Sequence, residues 1–89
     1  MNDRIDRIRA RLSEAFAPLE CRLEDESALH AGHAGAASGA GHFRLRIVSD
    51  KFENHSRIAR HRLVYDSLGD MMQTEIHALA ITALTPAEA

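Results

Sequence analysis

Apolar residues recur along the first sixteen positions at steps of three and four, at Ile5, Ile8, Leu12 and Phe16, with arginines and carboxylates between them. Such a period lays one apolar stripe along a helix. The spacing predicts an amphipathic helix from Asp3, capped by Asn2 or Asp3 and stopped by Pro18. The period then changes to two. Leu19, Cys21, Leu23 and Asp25 alternate with Glu20, Arg22, Glu24 and Glu26, the pattern of a strand with one wet face and with Cys21 turned inward beside Leu23. A second alternating run, HFRLRIVS at 42–49, predicts a strand pairing antiparallel with the first across the loop between them.

Ser49 and Asp50 read as a turn, Phe52 as a core plug, and Asn54 to Ser56 as a cap. Ile58, Leu63, Val64, Leu68, Met71 and Met72 then predict a helix from about Arg57 to Gln73. IHALAITAL at 76–84 is apolar on both alternate faces and is expected to be a strand covered on both sides, with His77 at its start near the sheet edge. Pro86 closes the domain. The order helix, strand, strand, helix, strand, without repeat or linker, predicts an α+β domain over residues 1–89 with helices packed on one face of the sheet.

At 89 residues the chain folds around one core layer and buries about 60–65% of its unfolded surface. That leaves little room for a catalytic cleft. No Trp, one Tyr and three Phe make the core aliphatic. The single Cys21 excludes an internal disulfide, so a reducing cytoplasm is the expected compartment. The charged start, MNDRIDRIRARLSEAF, reads as a folded helix of the mature protein rather than a leader, and no segment approaches membrane-spanning length.

Net charge is −2 but uneven: residues 42–65 carry six Lys and Arg against two carboxylates, whereas residues 66–89 carry four carboxylates and no Lys or Arg. A local basic segment meets phosphate or an acidic partner surface, yet it falls short of a dedicated nucleic-acid binder. The histidines add a second chemistry. His30, His33 and His42 frame the loop HAGHAGAASGAGHF, in which Ala31 to Gly41 supply only Ala, Gly, Ser and one His, and His77 lies far downstream. Imidazole ligates zinc, copper and iron and titrates near neutral pH. No HExxH and no paired CxxC accompany these residues, which argues against a closed zinc site. The set resembles half of a metal site. His55 reads as a surface residue.

DES at 25–27, the histidine and glycine loop, HF at 42–43, SDKF at 49–52, RHRLVY at 60–65 and IHAL at 76–79 together resemble the BolA-like family over nearly the whole chain. The resemblance implies a fold related to the type II KH domain, with a three-stranded sheet. It also implies pairing with a monothiol glutaredoxin around a shared [2Fe-2S] cluster, in iron–sulfur cluster trafficking or iron regulation. His30 and His77 correspond to the ligands in the loop and in the IHAL motif, with His33 and His42 as alternates, and the glutaredoxin cysteine and glutathione complete the other iron. Two imidazoles replace two thiolates on one iron in the same way at Rieske centres. No cluster is expected on the isolated chain, which is expected to be monomeric.

The alternative function implied by the resemblance is a DNA-binding transcriptional regulator using a helix-turn-helix-like segment. Lys51, Arg57, Arg60, His61 and Arg62 are then the partner or nucleic-acid contacts. Arg60 and Arg62, two apart on a helix, do not face one groove together. The acidic end repels DNA, and no GxxG clamp lies between the helices, the Gly32 and Gly35 spacing falling in the histidine loop. No nucleophile stands at a recognisable spacing from a base, so no enzymatic activity is expected.

Overall fold

The computed structural model describes residues 3–27 and 41–89. Helix α1 spans Asp3–Phe16, followed by strands β1 (Glu20–Asp25) and β2 (Gly41–Val48) and a 3-10 turn at Asp50–Phe52. Helices α2 (Arg57–Leu68) and α3 (Met71–Thr74) lead into strand β3 (Ile76–Leu84). The sheet order is β1-β2-β3. β1 pairs antiparallel with β2, placing Cys21 opposite Ile47 and Leu23 opposite Leu45. β3 runs parallel to β2, with Leu45 opposite Ile81. A parallel return needs a crossover, and α2 and α3 supply it.

Phe43, Leu45 and Ile47 alternate on the face of β2 that meets the helices and are buried, together with Ile8, Leu12 and Phe16 of α1 and Val64 and Leu68 of α2. Each such side chain stabilises the fold by about 1.5–3 kcal/mol through the water it sheds. Phe52 is fully buried and meets Phe16 at a ring-centroid distance of 4.9 Å, so it plugs the core as its position suggested. Ser49 fixes this corner: its Oγ donates to Phe16 O at 2.7 Å and accepts from Lys51 N–H at 3.1 Å. Ser56 caps α2 by accepting from Ala59 N–H at 3.1 Å.

Four expectations are corrected. The single helix to Gln73 is two, because Gly69 takes φ +56°, outside the helical range, and its N–H closes α2 on Tyr65 O at 3.0 Å. β3 is covered on one side only: Ala78, Ala80 and Thr82 are exposed on the helix-free face, where alanine and threonine are small enough to remain in water. Leu19 is 75% exposed, lying one residue before the first β1–β2 register pair, Glu20 with Val48. Ile58 departs in the same way. Six residues before Val64, it sits about 120° around the helix from the buried stripe and is 68% exposed.

Candidate functional site

The starts of β2 and β3 meet at one end of the sheet. Gly41 pairs with Ile76 and His42 with Ala78, so one extra residue, His77, is inserted into β3 at a bulge. A bulge re-aims the side chain it carries. Ile76 is thereby kept in the core while His77 is exposed. Glu75 braces the corner, its carboxylate paired with Arg7 of α1 and its carbonyl accepting from Gly41 N–H at 2.9 Å.

His42 is held from both sides, with its carbonyl accepting from Glu26 N–H at 2.7 Å and its N–H donating to Ser27 Oγ at 3.1 Å. The residue is 9% exposed, with Nε2 shielded from solvent. The His42 and His77 ring centroids are 5.0 Å apart at an interplanar angle of 54°. The structure thus brings together two sequence candidates that are far apart in the chain. His30 and His33 lie outside the described residues. Ser27 and Gly41, which flank that segment, both sit at this same end of the sheet.

Cys21 is distant from the imidazoles. It stands opposite Ile47, five residues along β2 from His42, or about 17 Å at strand rise. Burial raises its thiol pKa above the usual value, an effect the Arg9 charge offsets in part. Among the described residues, no group of three or more His, Cys, Asp or Glu side chains is arranged to hold a metal. What this chain offers there is a pair of nitrogen donors.

The basic segment, residues 42–65, runs from this corner along β2 to the opposite end of the sheet, and part of its charge is already matched. Arg44 pairs with Glu26, Arg46 with Glu20, and Arg60 with Glu88. Arg60 is the most committed: beyond Glu88 it donates to His55 O at 2.9 Å and to Ala83 O at 3.0 Å, binding the start of α2 to the end of β3. Glu88 also accepts from Thr85 N–H at 2.8 Å, and the Arg60 hydrogen bond leads in lowering its pKa to about 2. Lys51, Arg57 and Arg62 are exposed, and His61 is half-buried on α2. His55 is exposed, its Nδ1 at 2.9 Å from Glu53 O. Sequence reasoning missed the bulge that presents His77 and the Arg60–Glu88 clasp. The glycine two residues before buried Phe43 was the available signal for the first, since glycine in a strand marks a bulge or close approach.

Among the described residues no helix is long and apolar enough to cross a membrane. The chain is similar to SufE-like protein 1, chloroplastic/mitochondrial, of Arabidopsis thaliana, at 49% identity over 87 residues that cover 92% of this chain but only 24% of that relative. Similarity to the DNA-binding transcriptional regulator BolA of Escherichia coli (strain K12) is 38% over 80 residues, covering 90% of this chain and 73% of the relative. The solved BolA domain of SufE1 from Arabidopsis thaliana superimposes with a TM-score of 0.88 at 46% identity, over 100% of this chain and 99% of that one. With the family model described as BolA-like protein matching residues 12–88, and with this α+β architecture shared throughout, the chain belongs to the BolA-like family.

Proposed function

We propose that this domain is a non-catalytic adaptor that pairs with a monothiol glutaredoxin and contributes two histidines to a shared [2Fe-2S] cluster, in iron–sulfur trafficking or iron regulation. The observation that carries the reading is the exposed His77 at the β3 bulge with a second imidazole 5.0 Å away. The His42–His77 spacing equals that of two imidazoles bound at about 2 Å to one metal in tetrahedral geometry, about 5 Å between ring centroids, which supports a two-imidazole site at this corner. His77 is one ligand and His30 the other, with His33 and His42 as alternates. The partner's cysteine and glutathione hold the second iron. When bound, the cluster supplies redox-active iron that passes between proteins. The chain's own part is to fix His77 through the bulge and the Arg7–Glu75 brace. A reducing cytoplasm suits a fold whose single cysteine is half-buried and far from the imidazoles.

Visible circular dichroism tests this, with the protein titrated into a cluster-loaded, glutathione-bound monothiol glutaredoxin. A new spectrum in wild type, altered in His77→Ala and in His30→Ala, is expected; His42→Ala and His33→Ala identify the alternates. An unchanged spectrum in His77→Ala sinks the assignment.

A second reading is that the domain regulates transcription by binding DNA through the segment from Lys51 to Arg62. The Escherichia coli relative's name favours it, and Lys51, Arg57 and Arg62 are exposed as phosphate contacts must be. Affinity for duplex DNA falling steeply with salt, and weakened by Arg57→Ala and Arg62→Ala, is the expected outcome of that reading.

A further inference from the structure

The motif DES at 25–27 ends the β1–β2 ladder irregularly. The last regular pair is Asp25 with Phe43, and the next rung would join Glu26 and His42 by two backbone hydrogen bonds. The first of these forms, with Glu26 N–H donating to His42 O at 2.7 Å. In place of the second, His42 N–H donates to Ser27 Oγ at 3.1 Å. Asp25 Oδ1 in turn accepts from Ser27 N–H at 2.9 Å and holds the serine there. A hydroxyl thus takes over from a backbone carbonyl, so the chain leaves β1 while the N–H of a residue only 9% exposed keeps its acceptor. On the β3 side the hold is weaker. Gly41 N–H donates to Glu75 O at 2.9 Å, but between Gly41 and His42 the ladder is interrupted by the bulge that carries His77. The place of His42 is therefore set from β1, where Ser27 makes one of its two bonds.

We propose that Ser27 is a positioning residue for the imidazole pair: its hydroxyl fixes His42, and His42 fixes the ring of His77, which lies against it with centroids 5.0 Å apart. His77 needs such a backing because it is exposed, and an exposed imidazole otherwise samples several rotamers. Ser27 bonds to the backbone of His42, so it acts through the imidazoles and not as a ligand. Groups that hold a metal ligand from behind keep the donor where the metal meets it, and their loss weakens metal affinity about 10–100-fold. The consequence for the cluster rests on the function proposed above, whereas the consequence for the two rings belongs to the isolated chain. Threonine supplies the same oxygen and should replace Ser27; alanine leaves the buried N–H without its acceptor. Ser56 gives a matched control, because its Oγ also accepts from a backbone N–H, that of Ala59 at 3.1 Å, at the start of α2.

Nuclear magnetic resonance of the isolated chain reads the ring geometry with no cluster present. Wild type should show Overhauser contacts between the ring protons of His42 and His77. Ser27→Ala should lose them and shift the imidazole nitrogen resonances of both residues, and Ser27→Thr should restore them. Ser56→Ala should lower the melting temperature as Ser27→Ala does, yet leave the ring contacts as in wild type. In the titration with cluster-loaded, glutathione-bound monothiol glutaredoxin, Ser27→Ala should bind at least about tenfold more weakly and alter the visible circular dichroism, with Ser27→Thr matching wild type. Wild-type ring contacts and shifts in Ser27→Ala, the same loss in Ser56→Ala, or no rescue by Ser27→Thr overturns the proposal. So does an unchanged cluster affinity and spectrum in Ser27→Ala when wild type forms the complex. If wild type itself gives no cluster spectrum, the cluster reading fails, and the ring contacts alone decide whether Ser27 sets the pair.

Discussion

Replacing Gly41 by alanine tests how the site's corner is built. A Cβ at this position falls 2.6 Å from Cε2 and 2.7 Å from Cζ of Phe43, where ordinary contact begins at 3.4 Å, an overlap of 0.8 Å. Arg4 Nη1, at 3.0 Å, is the end of a flexible side chain and swings away. The Phe43 ring is only 2% exposed and belongs to the core cluster, so it can yield only by pressing into its neighbours. Overpacking of this kind costs about 1–3 kcal/mol. For a domain of this size each kcal/mol lowers the melting temperature by about 4–8 °C, so a drop between about 4 and 24 °C is expected in circular dichroism melts. A double-mutant cycle identifies the cause. Phe43→Leu removes the ring atoms in conflict, so the double variant should be more stable than the sum of the single losses by about 0.5–3 kcal/mol. A Gly41→Ala melting point within about 2 °C of wild type, or strict additivity with Phe43→Leu, refutes the reasoning.

The clasp at the other end predicts a pH signature. Glu88 has its pKa lowered from 4.5 to about 2, so its contribution to stability is present above about 4.5 and is lost as pH falls towards 2. Arg60→Met should flatten that part of the melting-temperature profile, and an unchanged slope would remove Arg60 as the cause. Gly69→Ala should cost about 1–3 kcal/mol through backbone strain alone, because at φ +56° the added Cβ meets only Arg11 Nη1, at 3.4 Å; an unchanged denaturant midpoint contradicts this. The Cys21 thiol, raised by burial, should alkylate with iodoacetamide at mildly alkaline pH more slowly in the native protein than in urea. Equal rates would show that its burial has no chemical effect.

Periodicity carried most of the fold because it is local. Ile8, Leu12 and Phe16 announce α1, and Phe43, Leu45 and Ile47 announce β2, without reference to any other part of the chain. The errors arise where a distant partner decides. IHALAITAL is apolar on both faces, but only the packing of helices on one side of the sheet determines which face is wet, and alanine is neutral to the outcome. Gly69 signalled a break that the apolar pattern continuing through Met71 and Met72 concealed. At the site, His77 was legible as a candidate from its motif. Its placement was not, because the bulge depends on the register between two strands whose paired starts, Gly41 and Ile76, lie 35 positions apart in the chain. Arg60 read as a free basic residue, since its partner Glu88 lies 28 residues further on.

The sheet brings the two imidazoles together and sets the Arg60–Glu88 clasp at its other end, and this follows from its topology. Because β3 runs parallel to β2, the first residues of both strands share one end and the last residues share the other. His42 and His77 are both early residues and therefore meet. Ala83 and Glu88 are late, so the arginine that binds them, Arg60, anchors the start of α2 at the far end, about 20 Å from the imidazoles at strand rise. An antiparallel β3 would have carried His77 to the far end, beside the basic turn that follows β2, and separated it from His42. The crossover through α2 and α3 thus returns the chain from the end of β2 to its start, and sets His77 beside His42 and the Arg7–Glu75 brace.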